Sequence, residues 1–90
     1  MKFEWDKNKA DRNFSKHGVS FDEAKTVFDD PLYVDFYDSR HSDKEDRFLI
    51  VGESSQGRLL IVSYTERRNS IRIISTREVT RSEREAYEEG

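Results

Sequence analysis

Residues 38–47 (DSRHSDKEDR) gather an imidazole, several carboxylates and basic side chains into one short segment. His41 is one of only two histidines in the chain, and histidine is the side chain that most readily exchanges a proton near neutral pH. Cleavage of RNA without a metal ion requires a base for the 2′-hydroxyl, cations for the charge that develops at phosphorus, and an acid for the leaving 5′-oxygen. His41 or Glu45 could supply the base, and arginines the positive charge. The alternative is a solvated acidic loop in which His41 only caps a turn.

The same segment also allows a metal site. Alternation along an extended chain would place His41, Asp43 and Glu45 on one face. Their spacing matches no recognised zinc or calcium pattern, so no metal ion or other cofactor is predicted. A magnesium ion, which needs few protein ligands, stays an alternative.

Positive charge is concentrated in residues 51–78. The whole chain has a net charge of −3, whereas this segment holds five basic and three acidic residues, a net charge of +2. All five basic residues are arginines, and the planar guanidinium group of arginine suits bidentate binding of phosphate. Each could instead form a salt bridge with one of the abundant carboxylates. The five are Arg58, Arg67, Arg68, Arg72 and Arg77.

Strand alternation separates two of these arginines. In a regular strand, Arg72 and Arg77 point to opposite faces, so that only a bulge or a strand end would let them share one. Arg77 lies at the predicted strand end, next to the start of the final helix, and Arg67 comes from the facing turn. Arg77 is therefore the better candidate for a site built at a margin of the sheet.

A third candidate group, residues 13–18, covers the end of the first predicted helix and the glycine turn that leads to the second. Two short helices joined by a glycine turn could form a helix-turn-helix motif. The second helix is rich in acidic side chains, however, which phosphate would repel. We expect His17 to pack at the end of the first helix or to bond a terminal carbonyl.

Local patterns place both helices in the first third of the chain. Asp6 is a suitable N-cap for a helix over roughly residues 7–16, and Gly18 ends it. Ser20 and Glu23 have the spacing of a capping box that starts the second helix. That helix ends before Pro31, because the residue before a proline is pushed out of the helical region.

The pattern after residue 31 is that of β-strands. Runs of β-branched, aromatic and aliphatic residues are separated by short turns rich in Gly, Asn and Ser. Residues 3–5 form either a short initial strand or an apolar lead-in. The predicted strands span residues 32–37, 47–53, 58–65 and 71–76.

A second capping box, Thr80 with Glu83, opens a short final helix that runs toward Tyr87. Helices followed by strands indicate an α+β fold. We predict two N-terminal helices packed on a three- to four-stranded antiparallel sheet, with a short C-terminal helix.

Length and composition limit the class of protein. Ninety residues form one domain, residues 1–90. Leu, Ile, Val and Phe number 21 and the net charge is small, which argues against disorder. The absence of cysteine excludes a disulfide scaffold, a thiolate nucleophile, a zinc finger and an iron–sulfur site. No apolar run approaches the ~18 residues of a membrane span, and the N-terminus lacks a signal-peptide core, so we expect a cytoplasmic protein.

The sequence resembles the BrnT toxin family over nearly its whole length, with the motifs in the same order and with similar gaps. The first motifs are Phe3-Glu4-Trp5-Asp6, Asn13-x-x-Lys16-His17-Gly18-Val19-Ser20-Phe21 and Ala24-x-x-Val27-Phe28-x-Asp30-Pro31. The later ones are His41-Ser42-x-x-Glu45-x-Arg47, Gly52 followed by Ser54, Gly57-Arg58-x-Leu60, Tyr64-Thr65-Glu66-Arg67, Ile71-Arg72-Ile73-Ile74-Ser75-x-Arg77 and Glu83-Arg84-x-x-Tyr87.

The resemblance implies a ribonuclease toxin of a type II toxin–antitoxin pair with a RelE-like α+β fold. Such a toxin cleaves RNA and halts translation. Its partner would be a BrnA-type antitoxin with a ribbon-helix-helix DNA-binding domain. The two would form a heterotetramer that reaches operator DNA only through the antitoxin, with no membrane involved.

Candidate site residues combine the chemistry of the side chains with the positions that fit the family pattern. The predicted catalytic residues are His41, Glu45, Arg67 and Arg77. The predicted RNA-binding residues are Lys16, Arg58 and Arg72. An alternative function is a non-catalytic binding module that acts as co-repressor with a DNA-binding partner, which the acidic balance and the polar final helix suggest.

Overall fold

The structure is a computed structural model that describes residues 1–89. The predicted α+β class is confirmed, and the element order is a short strand, two helices, a run of four strands and a final helix. The elements are β1 (Lys2–Glu4), α1 (Lys7–His17), α2 (Phe21–Lys25), β2 (Val34–Tyr37), β3 (Phe48–Glu53), β4 (Leu59–Arg67), β5 (Ser70–Glu78) and α3 (Arg81–Glu89).

The strands form one mixed sheet in the order β1-β5-β4-β3-β2. Strands β2 to β5 are antiparallel to their neighbours, as predicted, whereas β1 runs parallel to β5 with Phe3 opposite Ile71. The prediction of a three- to four-stranded antiparallel sheet therefore needs correction to five strands. The pairing of β1 with β5 joins residues that are far apart in the sequence. It cannot be predicted from alternation, which shows only which side chains of one strand share a face.

Both N-terminal helices begin and end close to the predicted residues. The Asp6 carboxylate accepts from the backbone N–H of Asn8 at 2.8 Å, and Gly18 ends α1 with a φ of 69°. Ser20 caps α2 by accepting from the N–H of Glu23 at 3.0 Å. The helix is shorter than predicted and continues as a 3₁₀ turn over Thr26–Asp29.

Helices α1 and α2 cover one face of the sheet and enclose the core there. Fully buried aliphatic and aromatic side chains from α2, β3, β4 and β5 meet in this layer. The largest are Phe21, Ile50, Leu60, Val62 and Ile73. The opposite face, which we call the open face, carries the alternate residues of the same strands, and α3 lies over part of it.

A β-bulge in β5 changes which side chains reach the open face. Ser63 lies opposite Ser75, but the next residue of β4 lies opposite Ile73, so that Ile74 is the extra residue. Beyond the bulge the alternation of β5 is reversed. Arg72 and Arg77 consequently share the open face, which a regular strand would forbid. No helix among residues 1–89 is long and apolar enough to cross a membrane.

Candidate active site

A groove of about 590 Å³ crosses the open face. One wall is the end of α1 together with β5, the other is the segment 38–47, and the floor comes from β3 and β4. Both histidines of the chain and three arginines line it, together with two carboxylates. These residues are His17, His41, Arg40, Arg47, Arg77, Asp38 and Glu83.

His41 is held by a carboxylate from its own segment. Its Nδ1 lies 2.9 Å from Asp38 Oδ2, and the Asp38 side chain is only 12% exposed whereas that of His41 is 63% exposed. A carboxylate at Nδ1 favours the tautomer with the proton on that nitrogen, which leaves Nε2 as a free base. The pair therefore has the arrangement of a histidine general base and the group that orients it.

The segment 38–47 is folded back on itself rather than extended. Ser42 Oγ donates to the carbonyl of Asp38 at 2.6 Å and accepts from the N–H of Arg47 at 3.0 Å. The short 3₁₀ turn Ser39–His41 lies inside this closed loop. The alternation on which the alternative metal site depended is therefore absent. The described residues, 1–89, contain no group of three His, Asp or Glu side chains that could hold a metal ion.

Arg47 lines the groove and has one buried donor without a partner among residues 1–89. Its Nε atom is buried and has no hydrogen-bond partner within the part of the chain that the structure describes. A buried N–H without a partner costs free energy, and a phosphate oxygen is a strong acceptor for a guanidinium group. The guanidinium group of Arg47 is suited to contact an anion in the groove that it lines.

His17 reaches the groove because Asn13 fixes α1 against β5. Strand β1 pairs with β5 only over residues 70–72, so the outer edge of β5 is free beyond that point. There the Asn13 side chain donates to the carbonyl of Thr76 at 2.9 Å and accepts from its N–H at 3.1 Å. It also donates to the carbonyl of Val19 at 3.1 Å. His17, one helical turn after Asn13, is thereby placed beside β5.

Arg77 forms a bidentate pair with Glu83 of α3, at 2.8 and 3.0 Å. These hydrogen bonds, and another from the backbone N–H of Thr80, lower the pKa of Glu83 to about 2. The same pair raises the pKa of Arg77. The predicted capping box of α3 is confirmed, since Glu83 also bonds Thr80 in both directions, at 2.8 and 3.2 Å. Glu83 therefore links the start of α3 to the groove.

Arg58 lies outside the groove, in an ion pair with α2. Its guanidinium group contacts Glu23, whose side chain is 2% exposed, through Nε at 3.0 Å and through NH2. Ser54 donates to the same carboxylate at 2.7 Å. Hydrogen bonds from Arg58 and Ser54 lower the pKa of Glu23 despite its burial. Glu23 thus completes only half of the predicted capping box, because its side chain serves Arg58 instead of the backbone of Ser20.

Four other predicted residues also lie away from the groove. Arg72 bonds Glu4 of β1 at 3.1 Å, and Arg67 bonds Glu45 at 3.4 Å. Lys16 is exposed on α1. Of the seven predicted site residues, the structure brings together two in the groove, His41 and Arg77.

Sequence reasoning missed five of the seven charged or ionisable groove residues, Asp38, Arg40, Arg47, His17 and Glu83, the last of which was predicted only as a capping residue. Asp38, Arg40 and Arg47 belong to the segment 38–47, from which only His41 and Glu45 were predicted as site residues. All the ionisable residues of that segment were therefore reasonable candidates. The signal for His17 was its spacing of four residues from Asn13, which places both on one helix face. Asn13 is only 8% exposed, which is consistent with its role in fixing α1 against β5.

The sequence model of the ribonuclease toxin BrnT of type II toxin–antitoxin systems matches residues 5–83. This chain belongs to the BrnT family. The crystal structure of the Brucella abortus ribonuclease toxin BrnT is similar in fold, with a TM-score of 0.70 at 24% sequence identity. The match covers 90% of this chain and 99% of the Brucella chain. No curated protein sequence matches. As a BrnT-family member, the chain is a ribonuclease toxin of a type II toxin–antitoxin system, with an RNA substrate and an antitoxin partner.

Proposed function

We propose that this BrnT-family toxin is a metal-independent endoribonuclease whose active site is the groove on the open face. The observation that carries the proposal is that one groove holds both histidines of the chain and three arginines. Such a set supplies a proton acceptor, a proton donor and positive charge, which together meet the requirements of RNA cleavage by internal transesterification.

In the proposed reaction, His41 Nε2 removes the proton of the 2′-hydroxyl group, and the 2′-oxygen attacks the adjacent phosphorus. The bond between phosphorus and the 5′-oxygen breaks, and His17 donates a proton to that oxygen. The products are a 2′,3′-cyclic phosphate and a free 5′-hydroxyl group. Asp38 stabilises the imidazolium form of His41 after the first step through the 2.9 Å contact at Nδ1.

Arg40, Arg47 and Arg77 are proposed to hold the scissile phosphate and the negative charge that develops on it. Arg47 has an unused buried donor. Arg77 is paired with Glu83, so that phosphate competes with this carboxylate for the guanidinium group. His41 and Arg77 keep their predicted roles in this proposal. Glu45, Arg67, Arg58, Arg72 and Lys16 do not contact the groove and are left out of it.

The proposal is tested with purified protein and labelled RNA in the presence of EDTA. We expect cleavage to continue, with 2′,3′-cyclic phosphate and 5′-hydroxyl ends. Cleavage that stops in EDTA and returns with magnesium would contradict the metal-independent mechanism. Products with 3′-hydroxyl and 5′-phosphate ends would contradict the internal attack.

We also propose that the toxin inhibits translation and that its antitoxin is of the BrnA type, in a heterotetramer. A protein partner is supported by the exposed apolar residues. Of seven large exposed apolar side chains in residues 1–89, five belong to the segment 32–37, which includes the edge strand β2. Exposed apolar patches and open sheet edges are typical of protein interfaces.

The same surface suits a second candidate function, the co-repressor role with a DNA-binding antitoxin. Leu32, whose side chain is exposed, provides a test. We expect Leu32→Ser to weaken antitoxin binding and operator repression while RNA cleavage stays unchanged. Full antitoxin affinity in this variant would argue that the partner binds elsewhere.

A further inference from the structure

A second cavity, of about 400 Å³, adjoins the groove on the open face. We call it the apolar slot. It lies between α3 and strands β2, β3 and β4, and apolar side chains form most of its lining. These are Val34, Phe36, Val51, Ile61, Val79 and Ala86, with Tyr87 at the α3 side.

The slot and the groove are continuous. Phe36, Ile61 and Glu83 line both cavities. Phe36 is 48% exposed although it is a large aromatic residue, and it stands between the charged groove and the apolar slot. The space of the groove therefore continues past Phe36 into the slot.

The walls of the slot are fixed at both ends of α3. At its start, the pair between Arg77 and Glu83 ties the helix to β5. Near its end, the hydroxyl group of Tyr87 donates to the carbonyl of Leu32 at 2.9 Å. The slot is thus a formed feature of the fold and does not depend on closure by a loop.

The chemistry of the slot fits a nucleobase. In RNA, every phosphodiester is flanked by nucleosides, and a base that leaves its stack presents two flat faces that pack well on an aromatic ring. A charged groove beside an aromatic, apolar cavity provides for the phosphate and for such a base at neighbouring positions. The slot offers few polar atoms to read the edge of the base, so that stacking dominates its contribution.

We propose that the apolar slot binds the unstacked nucleobase next to the scissile phosphate, with Phe36 as the stacking platform. This inference rests on the proposed function, because it places the phosphate in the groove. The slot then contributes to RNA affinity independently of the proton transfers at His17 and His41.

The test measures binding rather than cleavage. The probes are a short single-stranded 2′-O-methyl RNA, which lacks the attacking hydroxyl group, and an abasic backbone of the same length and charge. We expect Phe36→Ala to weaken binding of the 2′-O-methyl RNA about tenfold, with no change in binding of the abasic backbone. Phe36→Trp, which keeps an aromatic face, is expected to retain the affinity of the wild type.

Phe14→Ala is the matched control, because Phe14 is an aromatic residue that is 56% exposed and lines neither cavity. It is expected to leave binding of both probes unchanged. Equal affinity of Phe36→Ala and wild type for the 2′-O-methyl RNA would overturn the proposal. So would an equal loss with both probes, or a loss confined to antitoxin binding, which would assign the slot to the protein partner. Failure of the proposed function would appear separately, as intact binding of 2′-O-methyl RNA without cleavage of ordinary RNA.

Discussion

At the scale of the residue, the contact between Asp38 and His41 prepares His41 for the role of general base in the proposed reaction. A carboxylate at Nδ1 fixes both the tautomer and the orientation of the imidazole ring. We predict that Asp38→Asn lowers kcat/KM for RNA cleavage by about tenfold or more, since the amide cannot stabilise the imidazolium form. Asparagine keeps the cap of the Ser39–His41 turn, so that the fold is preserved.

Asp43→Asn is the matched control for that prediction, because Asp43 lies in the same loop but does not line the groove. Its kcat/KM is expected to equal that of the wild type. Equal loss in both variants would show that general acidity of the loop, rather than the contact to His41, supports cleavage.

Arg58 was predicted to bind RNA because it is an arginine, but its ion pair with the buried Glu23 indicates a role in the stability of the fold. Removing it leaves the Glu23 carboxylate buried without its ionic partner. We predict that Arg58→Ala lowers the free energy of unfolding by about 3 kcal/mol, measured by urea denaturation. Arg81→Ala, on an exposed side chain of α3, is expected to change it by less than about 0.5 kcal/mol. Similar values for the two variants would contradict the role assigned to Arg58.

Residue type alone could not show that Arg77 lines the groove and that Arg58 stabilises the fold. Arg58 and Arg77 are both arginines at the ends of predicted strands, and both form bidentate pairs with a glutamate. What distinguishes them is the face of the sheet on which the partner lies. That information comes from tertiary packing, which alternation within one strand does not contain.

At the scale of the element, one buried asparagine, Asn13, links α1 to β5 through hydrogen bonds. Asn13→Ala would leave the N–H and carbonyl of Thr76 and the carbonyl of Val19 without this partner. We predict a loss of about 2 kcal/mol in the free energy of unfolding and reduced cleavage of ordinary RNA, because His17 is no longer held in place.

The reduced cleavage is expected to be largely restored with an RNA that carries sulfur in place of the leaving 5′-oxygen, because a thiolate leaves without a proton. Asn8→Ala, on the exposed side of the same helix, serves as control and should match the wild type. Equal losses of Asn13→Ala on both substrates would indicate a general structural defect instead of a displaced His17.

The start of α3 should respond to acid through Glu83. Its pKa in the folded protein is about 2, below the ordinary value of 4.5. The stabilisation it provides is therefore fully present above about pH 4.5 and is lost progressively as the pH falls through about 2. We predict that wild type and Glu83→Gln differ in Tm at pH 6 and converge near pH 2, in thermal unfolding followed by circular dichroism.

Glu85→Gln is the comparison for this titration, because Glu85 pairs with Arg81 on the exposed surface of α3. Its Tm is expected to stay close to that of the wild type across the same range. A Tm difference for Glu83→Gln that persists unchanged at pH 2 would contradict the pairing with Arg77.

Caps and turns made most elements predictable. Asp6, Gly18, Ser20 and the Thr80–Glu83 box act through neighbours in sequence, and the structure confirms each of these helix boundaries. The bulge at Ile74 and the parallel pairing of β1 were not predictable, since each depends on partners far along the chain. The bulge matters most here, because it places Arg77 on the open face, where the groove lies.

At the scale of the whole molecule, the sheet separates the hydrophobic core from the surface that carries the candidate site. One face carries the core beneath α1 and α2, and the open face carries the groove, the apolar slot and α3. The net charge of −3 is an average over the chain and does not give the charge of the groove. In the groove, three arginines outnumber two carboxylates, so that a chain that is acidic overall still has a locally positive groove.

The central claim is that His41 and His17 act as base and acid in one groove. Its most direct test is kcat/KM in EDTA for wild type, His41→Ala and His17→Ala, on ordinary RNA and on RNA with a 5′-sulfur leaving group. We predict that each variant loses about a hundredfold or more on ordinary RNA. On the sulfur substrate, only His17→Ala should recover activity close to the wild type. Folded variants that both cleave ordinary RNA as fast as the wild type would contradict the account.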